Sequence, residues 1–298
     1  MAVQPNDQMI SCDDKELTVS RRFPRTVRLR AEYYEFVDEP ERFLQQLAEQ
    51  KVPADLFTFL QRPGDPTPRF PYPHEFDHIA VLRIDTYEKW WKQQINDKTR
   101  NMVRKASKKG VTIRCSEFND ELVKGIQTIY NESPIRQGKR FRHYGKDIET
   151  LRREHATFLD RSSFIGAYFD GQLIGFIKLV HQGDTSNLMQ VLSLISQRDK
   201  SPTNALIAKA VEICAERRCP YLQYGTWSRR SFGDFKLHHG FERMEVPRYF
   251  VPLSLVGRCA LRLRLHRELA AYIPRSCLDV FASLRAKWYA RHWPGVAQ

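Results

Sequence analysis

No apolar run in this chain approaches the roughly 20 residues that cross a bilayer, which argues against a helical membrane-spanning protein. The opening MAVQPNDQMISCDDKEL has neither a basic cap nor an apolar core, so no secretory signal is expected. Cysteine is sparse. The six present (Cys12, Cys115, Cys214, Cys219, Cys259, Cys277) are scattered, which reads as reduced thiols in a cytoplasmic protein. Metal-ligand spacing is missing as well: His74 and His78 follow Pro73 outside a helical pattern, and His238-His239 lacks a matching Cys or carboxylate set, so no metal site is expected. There is no G-x-S-x-G and no Cys–His pairing that would support a covalent nucleophile. Acid is in short supply: 35 Asp and Glu against 48 Lys and Arg leave a net charge of +13. Such an excess favours an anionic partner, whether phosphate, nucleic acid or acidic lipid.

What is present is enough for a packed core, with 42% hydrophobic and 12% aromatic residues over 298 positions. Residues 1–19 are polar and are expected to fray. Thr26–Val37 reads as a strand, Glu41–Gln50 as a short amphipathic helix and Asp55–Leu60 as a strand. Prolines at 63, 66, 68, 71 and 73 then impose an extended loop before a strand over His78–Asp85. Thr86–Lys109 has a helical pattern broken near Asn96 and Asp97, with Gly110 placed to stop it. A strand over Val111–Arg114 and a helix over Asp120–Ser133 follow. Asp170-Gly171 supplies the positive φ of a tight hairpin turn between two β-rich runs. A third strand over Leu188–Ser196 leads into QRDKSPT, a helix beginning near Asn204 and a strand over Pro220–Gly225. A meander followed by a helical crossover makes an α+β fold around a mixed sheet, with the strand after the crossover parallel to the one before it. A short helix stopped by Gly240 and a closing strand pair through Val246–Leu253 end this block. From Leu255 the tail is helical in composition, rich in Arg and divided by Pro274.

Four runs, KTRNMVRKASKKGV, the hairpin at Asp170-Gly171, SPTNALIAKAVEICAERR and GDFKLHHGF with VPRYFVPL, resemble the GNAT-fold N-acyltransferases. Within them the chain is similar to the branch related to FemAB-type peptidyltransferases. The resemblance covers roughly residues 78–254. Its most specific parts are Phe235, Lys236, Gly240 and Phe241, and the R-x-x-x-RKA-x-KKGV element. It implies a GNAT-like mixed central sheet with a splayed parallel pair. It also implies four regions: a disordered 1–19, an incomplete N-terminal GNAT-like half over 20–115, an acyltransferase domain over 116–254 and basic amphipathic C-terminal helices over 255–298.

The chemistry implied is direct attack of a bound amine on an activated acyl ester, with acyl-CoA as the donor. The acceptor would be a small molecule, a glycan or a lipid-linked amine. The donor arm would lie along Val191 and Ser193, and its phosphates by Arg198, Lys200, Ser201, Thr203 and Asn204, where a helix start favours anions. The usual loop of this family is Gly-rich, and this one carries Asp199, Pro202 and no glycine, which makes aminoacyl-tRNA the alternative donor. Catalytic roles fall to Lys236 by family match, with Asp234 as base and Tyr249 as acid. Arg100, Tyr224, Trp227 and Arg229 are candidate acceptor contacts. The tail over 255–298 could lie on anionic lipid at the inner membrane face. Outside the enzymes, the rival is a nucleic-acid- or membrane-binding protein on a GNAT scaffold.

Overall fold

A computed structural model describes residues 7–12, 14–227, 231–267, 283–285, 287–289 and 291–292. In chain order it begins with β1 (Gln8–Cys12), β2 (Lys15–Val19), β3 (Thr26–Leu29), α1 (Pro40–Glu49), β4 (Leu56–Leu60) and β5 (His74–Arg83). Next come α2 (Tyr87–Lys89), α3 (Asp97–Lys108), β6 (Thr112–Ser116), α4 (Asp120–Asn131), β7 (Ile135–Arg136), β8 (Lys139–Arg140) and α5 (Ile148–His155). Then follow β9 (Ser162–Phe169), β10 (Gln172–Gln182), β11 (Thr185–Ser193), α6 (Pro202–Glu216), β12 (Tyr221–Thr226), α7 (Ser231–His238), β13 (Glu242–Pro252) and α8 (Leu255–Arg262). The architecture is mixed α/β, with parallel and antiparallel strands.

The chain divides into two units, but not at residue 115. The first takes the residues up to Leu82, Gln223–Asp234 and Phe241–Glu268; the second takes Arg83–Leu222, Phe235–Gly240 and the remainder. The reason is β13, which pairs antiparallel with both β4 and β5 and so completes the N-terminal unit from the far end of the chain.

In the first unit the strands run β1-β2-β3-β4-β13-β5, and only β3–β4 is parallel. Residues 8–12 and 15–19, expected to fray, form a hairpin instead, with Asp14 at φ 59° in its turn. Leu17 and Val19 drive this by entering a core shared with Val27, Phe57, Phe59 and Tyr249. The strand expected over 26–37 stops at Leu29. The chain then turns, with the N–H groups of Tyr34 and Glu35 both donating to the Ala31 carbonyl. That turn lets the Glu32 carboxylate meet the Arg248 guanidinium at 2.6 Å, and this buried pair overrides the β-propensity of the aromatic run. The expected closing pair is a single long strand, β13.

The second unit is built on the antiparallel order β11-β10-β9-β6. The turn at Asp170-Gly171 has φ of 48° and 76°, as the hairpin requires. Helix α4 packs on β10, and α6 packs on β9, β10 and β11. Gly125 permits the first contact, because a Cβ there would stand 2.7 Å from a Leu173 methyl carbon. The break near Asn96 is present: a π-helical turn over Trp90–Gln94 ends there, and Asn96 accepts the Thr99 N–H at 2.9 Å to start α3. Strand β12 begins in this unit and runs into the first.

Candidate functional site

Strand β11 ends at Ser193, and α6 begins at Pro202. Between them lies a 3₁₀ helix over Ile195–Lys200. Val191 faces Ile177 and Ser193 faces Gly175 across the β10–β11 ladder. The ladder is tight at that point, since a Cβ on Gly175 would lie 3.0 Å from the Ser193 Cβ. The Ser193 and Thr203 hydroxyls meet at 2.9 Å, tying the strand end to the first turn of α6.

The connection is held by two residues that the sequence reading missed, Glu132 and Arg136, at and beyond the end of α4. One Glu132 oxygen accepts the Ile195 N–H at 2.6 Å; the other accepts the Ser196 N–H and hydroxyl, both at 2.9 Å. Arg136 donates to the Ser193 carbonyl at 2.9 Å, to the Ile129 carbonyl at 2.7 Å and to Glu132 at 3.0 Å. The pair is largely buried, and burial lowers the Arg136 pKa from its ordinary value. A carboxylate of the protein itself therefore meets the N–H groups at the start of the 3₁₀ turn.

Further along the connection the backbone donors are engaged as well. Gln197 N–H donates to the Leu194 carbonyl at 3.3 Å, Ser201 N–H to Arg198 at 3.0 Å and Asn204 N–H to Ser201 at 3.2 Å. Pro202 has no N–H. Ser201, with φ at 58°, is buried and makes no capping bond to α6; its hydroxyl turns to the Met102 sulfur at 3.8 Å. The N–H groups of Ile195, Ser196, Gln197, Ser201 and Asn204 are thus engaged within the protein. Two cationic side chains also lie on the connection. Arg198 is exposed, and Lys200 is partly buried over the Phe169 ring at 4.6 Å, with Asp199 at 3.6 Å.

Lys236 is 2% exposed on α7, and burial pushes its pKa down to about 8. The end of α7 is moored by α3 and the turn before it: the Trp90 indole donates to the His239 carbonyl, and the Thr99 hydroxyl to the His238 carbonyl, each at 2.9 Å. Asp234 is exposed in the first turn of the same helix.

Four other expected residues lie as follows. Tyr249 has no exposed surface and lies in the first unit's core against Phe59. Its hydroxyl donates to Gln61 at 2.6 Å and accepts the N–H groups of Arg69 at 2.7 Å and Phe70 at 3.3 Å. With its proton given and its oxygen engaged, it braces the proline-rich loop and is unsuited to general acid work. Arg100 is similarly engaged, donating to the carbonyls of Trp91 at 2.7 Å and Ile95 at 2.6 Å and to Asp97 at 2.8 Å. It closes the break between the π turn and α3, and these donors are spent there. Trp227 is half-buried and donates its backbone N–H to His78 at 2.7 Å. Tyr224 is half-buried beside Phe241, and burial raises its pKa. Arg229 lies outside the described residues, as does Pro274 in the tail. No three His, Cys, Asp or Glu side chains cluster as metal ligands among the described residues. Cys214 and Cys219 are buried.

No family model matches the chain, and no curated protein matches it. Solved structures do. The C-terminal domain of an assigned lysylphosphatidylglycerol synthetase from Agrobacterium fabrum superposes with a TM-score of 0.56 at 12% identity, covering 86% of this chain and 87% of that one. The L-PGS of Bacillus licheniformis gives 0.54 at 13%, covering 87% and 89%. FemX gives 0.51 at 11%, covering 81% and 87%. At such identities the shared property is the fold alone: the chain has the fold of these three structures.

Proposed function

We propose that this protein is an acyltransferase that moves an aminoacyl group from the ester of an RNA carrier directly to an amine. The observation that carries this reading is the connection between β11 and α6. Backbone N–H groups along it are held by Glu132 and by the turn itself, and the cations placed on it are Arg198 at the surface and Lys200 beside Asp199 and the Phe169 ring. A phosphodiester chain met by cationic side chains suits this arrangement better than a pyrophosphate seated on backbone. The similarity of fold to FemX and to proteins named for lysylating phosphatidylglycerol supports the same class.

The chemistry follows from the groups involved. An amine with pKa near 10 is protonated at pH 7, and freeing it costs about 4 kcal/mol. Binding it out of water disfavours the ammonium and supplies part of that cost. Attack on the ester carbonyl gives a tetrahedral oxyanion; its collapse expels the carrier's ribose hydroxyl, which leaves with the proton taken from the amine. Holding the two reactants together supplies much of the rate. Lys236, mostly cationic at pH 7 with a pKa of about 8, is the group assigned to stabilise the oxyanion or the neighbouring phosphate. Positive charge buried there has more effect than the same charge in water.

Acyl-CoA is the second reading, favoured by α6, whose N-terminus has no side-chain cap and no acidic residue in its first turn. The two readings separate when labelled aminoacyl-tRNA and labelled acyl-CoA are offered in separate reactions with a panel of amines. Label transferred from charged tRNA is the expected result; transfer from acyl-CoA alone replaces this reading with the second.

A further inference from the structure

Helix α8 lies against the first unit on one narrow face. Gly257 sits so close to β4 that a Cβ there would fall 1.9 Å from the Asp55 carbonyl oxygen, and Ala260, one turn on, is 1% exposed. Ser254 caps the helix by accepting the Gly257 N–H at 3.1 Å and donates to Asp55 at 3.1 Å. After the helix, His266 and Arg267 fasten to Glu75 at 3.1 and 2.7 Å. Both ends are thus anchored, and the orientation of the helix is fixed.

At 100° per residue, the face opposite Gly257 and Ala260 carries Leu255, Cys259 and Arg262, flanked by Val256 and Arg258. Leu255 is 71% exposed, Val256 43%, and just beyond the helix Leu263 is 67% and Leu265 47% exposed. Large aliphatic side chains are seldom left this open in a run of eleven residues. The cations here are Arg258, Arg262 and Arg264, all exposed, and no acidic residue occurs between Leu255 and Arg267. Apolar side chains interleaved with guanidinium groups on one exposed stretch match the boundary between lipid headgroups and acyl chains. A nucleic acid would use the charge but leave the leucines in water.

We infer that the outer face of α8, continued through Leu265, is a docking surface for an anionic lipid bilayer. Leucines enter the headgroup boundary and arginines pair with lipid phosphates. The inference is independent of the acyl-transfer reading, since it needs only this surface.

The test is co-sedimentation of the full chain with vesicles of phosphatidylglycerol and phosphatidylcholine at 3:7, and with phosphatidylcholine alone, at 0.1 M salt. Binding to the anionic vesicles only is expected. Arg258→Gln with Arg262→Gln should lower the partition coefficient about 10- to 30-fold, each Arg near an anionic surface counting roughly fivefold. Leu255→Asn with Leu263→Asn should lower it about tenfold or more. These side chains are exposed, so the thermal midpoint should hold in both variants and separates loss of docking from loss of folding. Absence of vesicle binding, equal binding to neutral vesicles, or undiminished binding in either variant overturns the inference. So does a result in which only the arginine variant weakens binding and added RNA displaces the wild-type chain, which identifies a soluble polyanion as the partner.

Discussion

Lys236 and Tyr249 were both expected to take part in chemistry, and both are buried. The Tyr249 hydroxyl is engaged by Gln61, Arg69 and Phe70. Arg69 lies 180 residues away, so nothing local to VPRYFVPL could have revealed that. Lys236, the cation of the proposed function, has its pKa depressed to about 8 by burial. If the cation is the working form, kcat/KM should fall as pH rises through about 8. Lys236→Arg, a cation at every accessible pH, should lose that decline while keeping measurable activity, and Lys236→Met should lose about 10²- to 10³-fold. A pH profile unchanged by Lys236→Arg would contradict the assignment.

Elements set by neighbouring residues were legible, and elements set by distant partners were not. The Asp170-Gly171 turn, the Asn96 cap and the helix from SPTN onward depend on residues within a few positions of one another. The β1–β2 hairpin and the early end of β3 depend on which core accepts Leu17 and on where Arg248 waits for Glu32. The same logic hid Glu132, whose partners at Ile195 and Ser196 lie 63 and 64 residues on. Glu132→Gln keeps the shape but replaces one charge-assisted acceptor with an amide that must turn an N–H toward a backbone N–H. The β11–α6 connection should loosen, raising KM for the donor about tenfold while kcat changes little, and costing about 1–3 kcal/mol of stability. Equal loss in kcat with KM unchanged would place Glu132 in the chemical step and contradict a positioning role.

For the whole molecule the dominant electrostatic facts are a charge of +13 and a set of buried imidazoles in the second unit. Burial pushes His143, His155, His181 and His239 down to about 4. His155 meets the Tyr130 hydroxyl at 3.1 Å, and His181 lies between the hydroxyls of Ser186 and Ser163 at 2.8 and 3.0 Å. In the unfolded chain each would titrate near 6.5, so between pH 6.5 and 4 the unfolded state binds more protons. Their stability contribution is complete above 6.5 and is lost as pH falls toward 4, by up to about 3 kcal/mol each. The thermal midpoint should therefore drop steeply over that interval, and a flat midpoint from 6.5 to 4 would show these rings to be solvated. Fold and charge were both legible in the sequence at this scale, whereas the donor was not, because it depends on which backbone N–H groups the folded loop leaves open. The account is tested most directly with both donors in one vessel, each bearing a distinct label on its acyl group, and the acylated amine counted. It predicts product carrying the tRNA-borne label; product carrying only the CoA-borne label would contradict it.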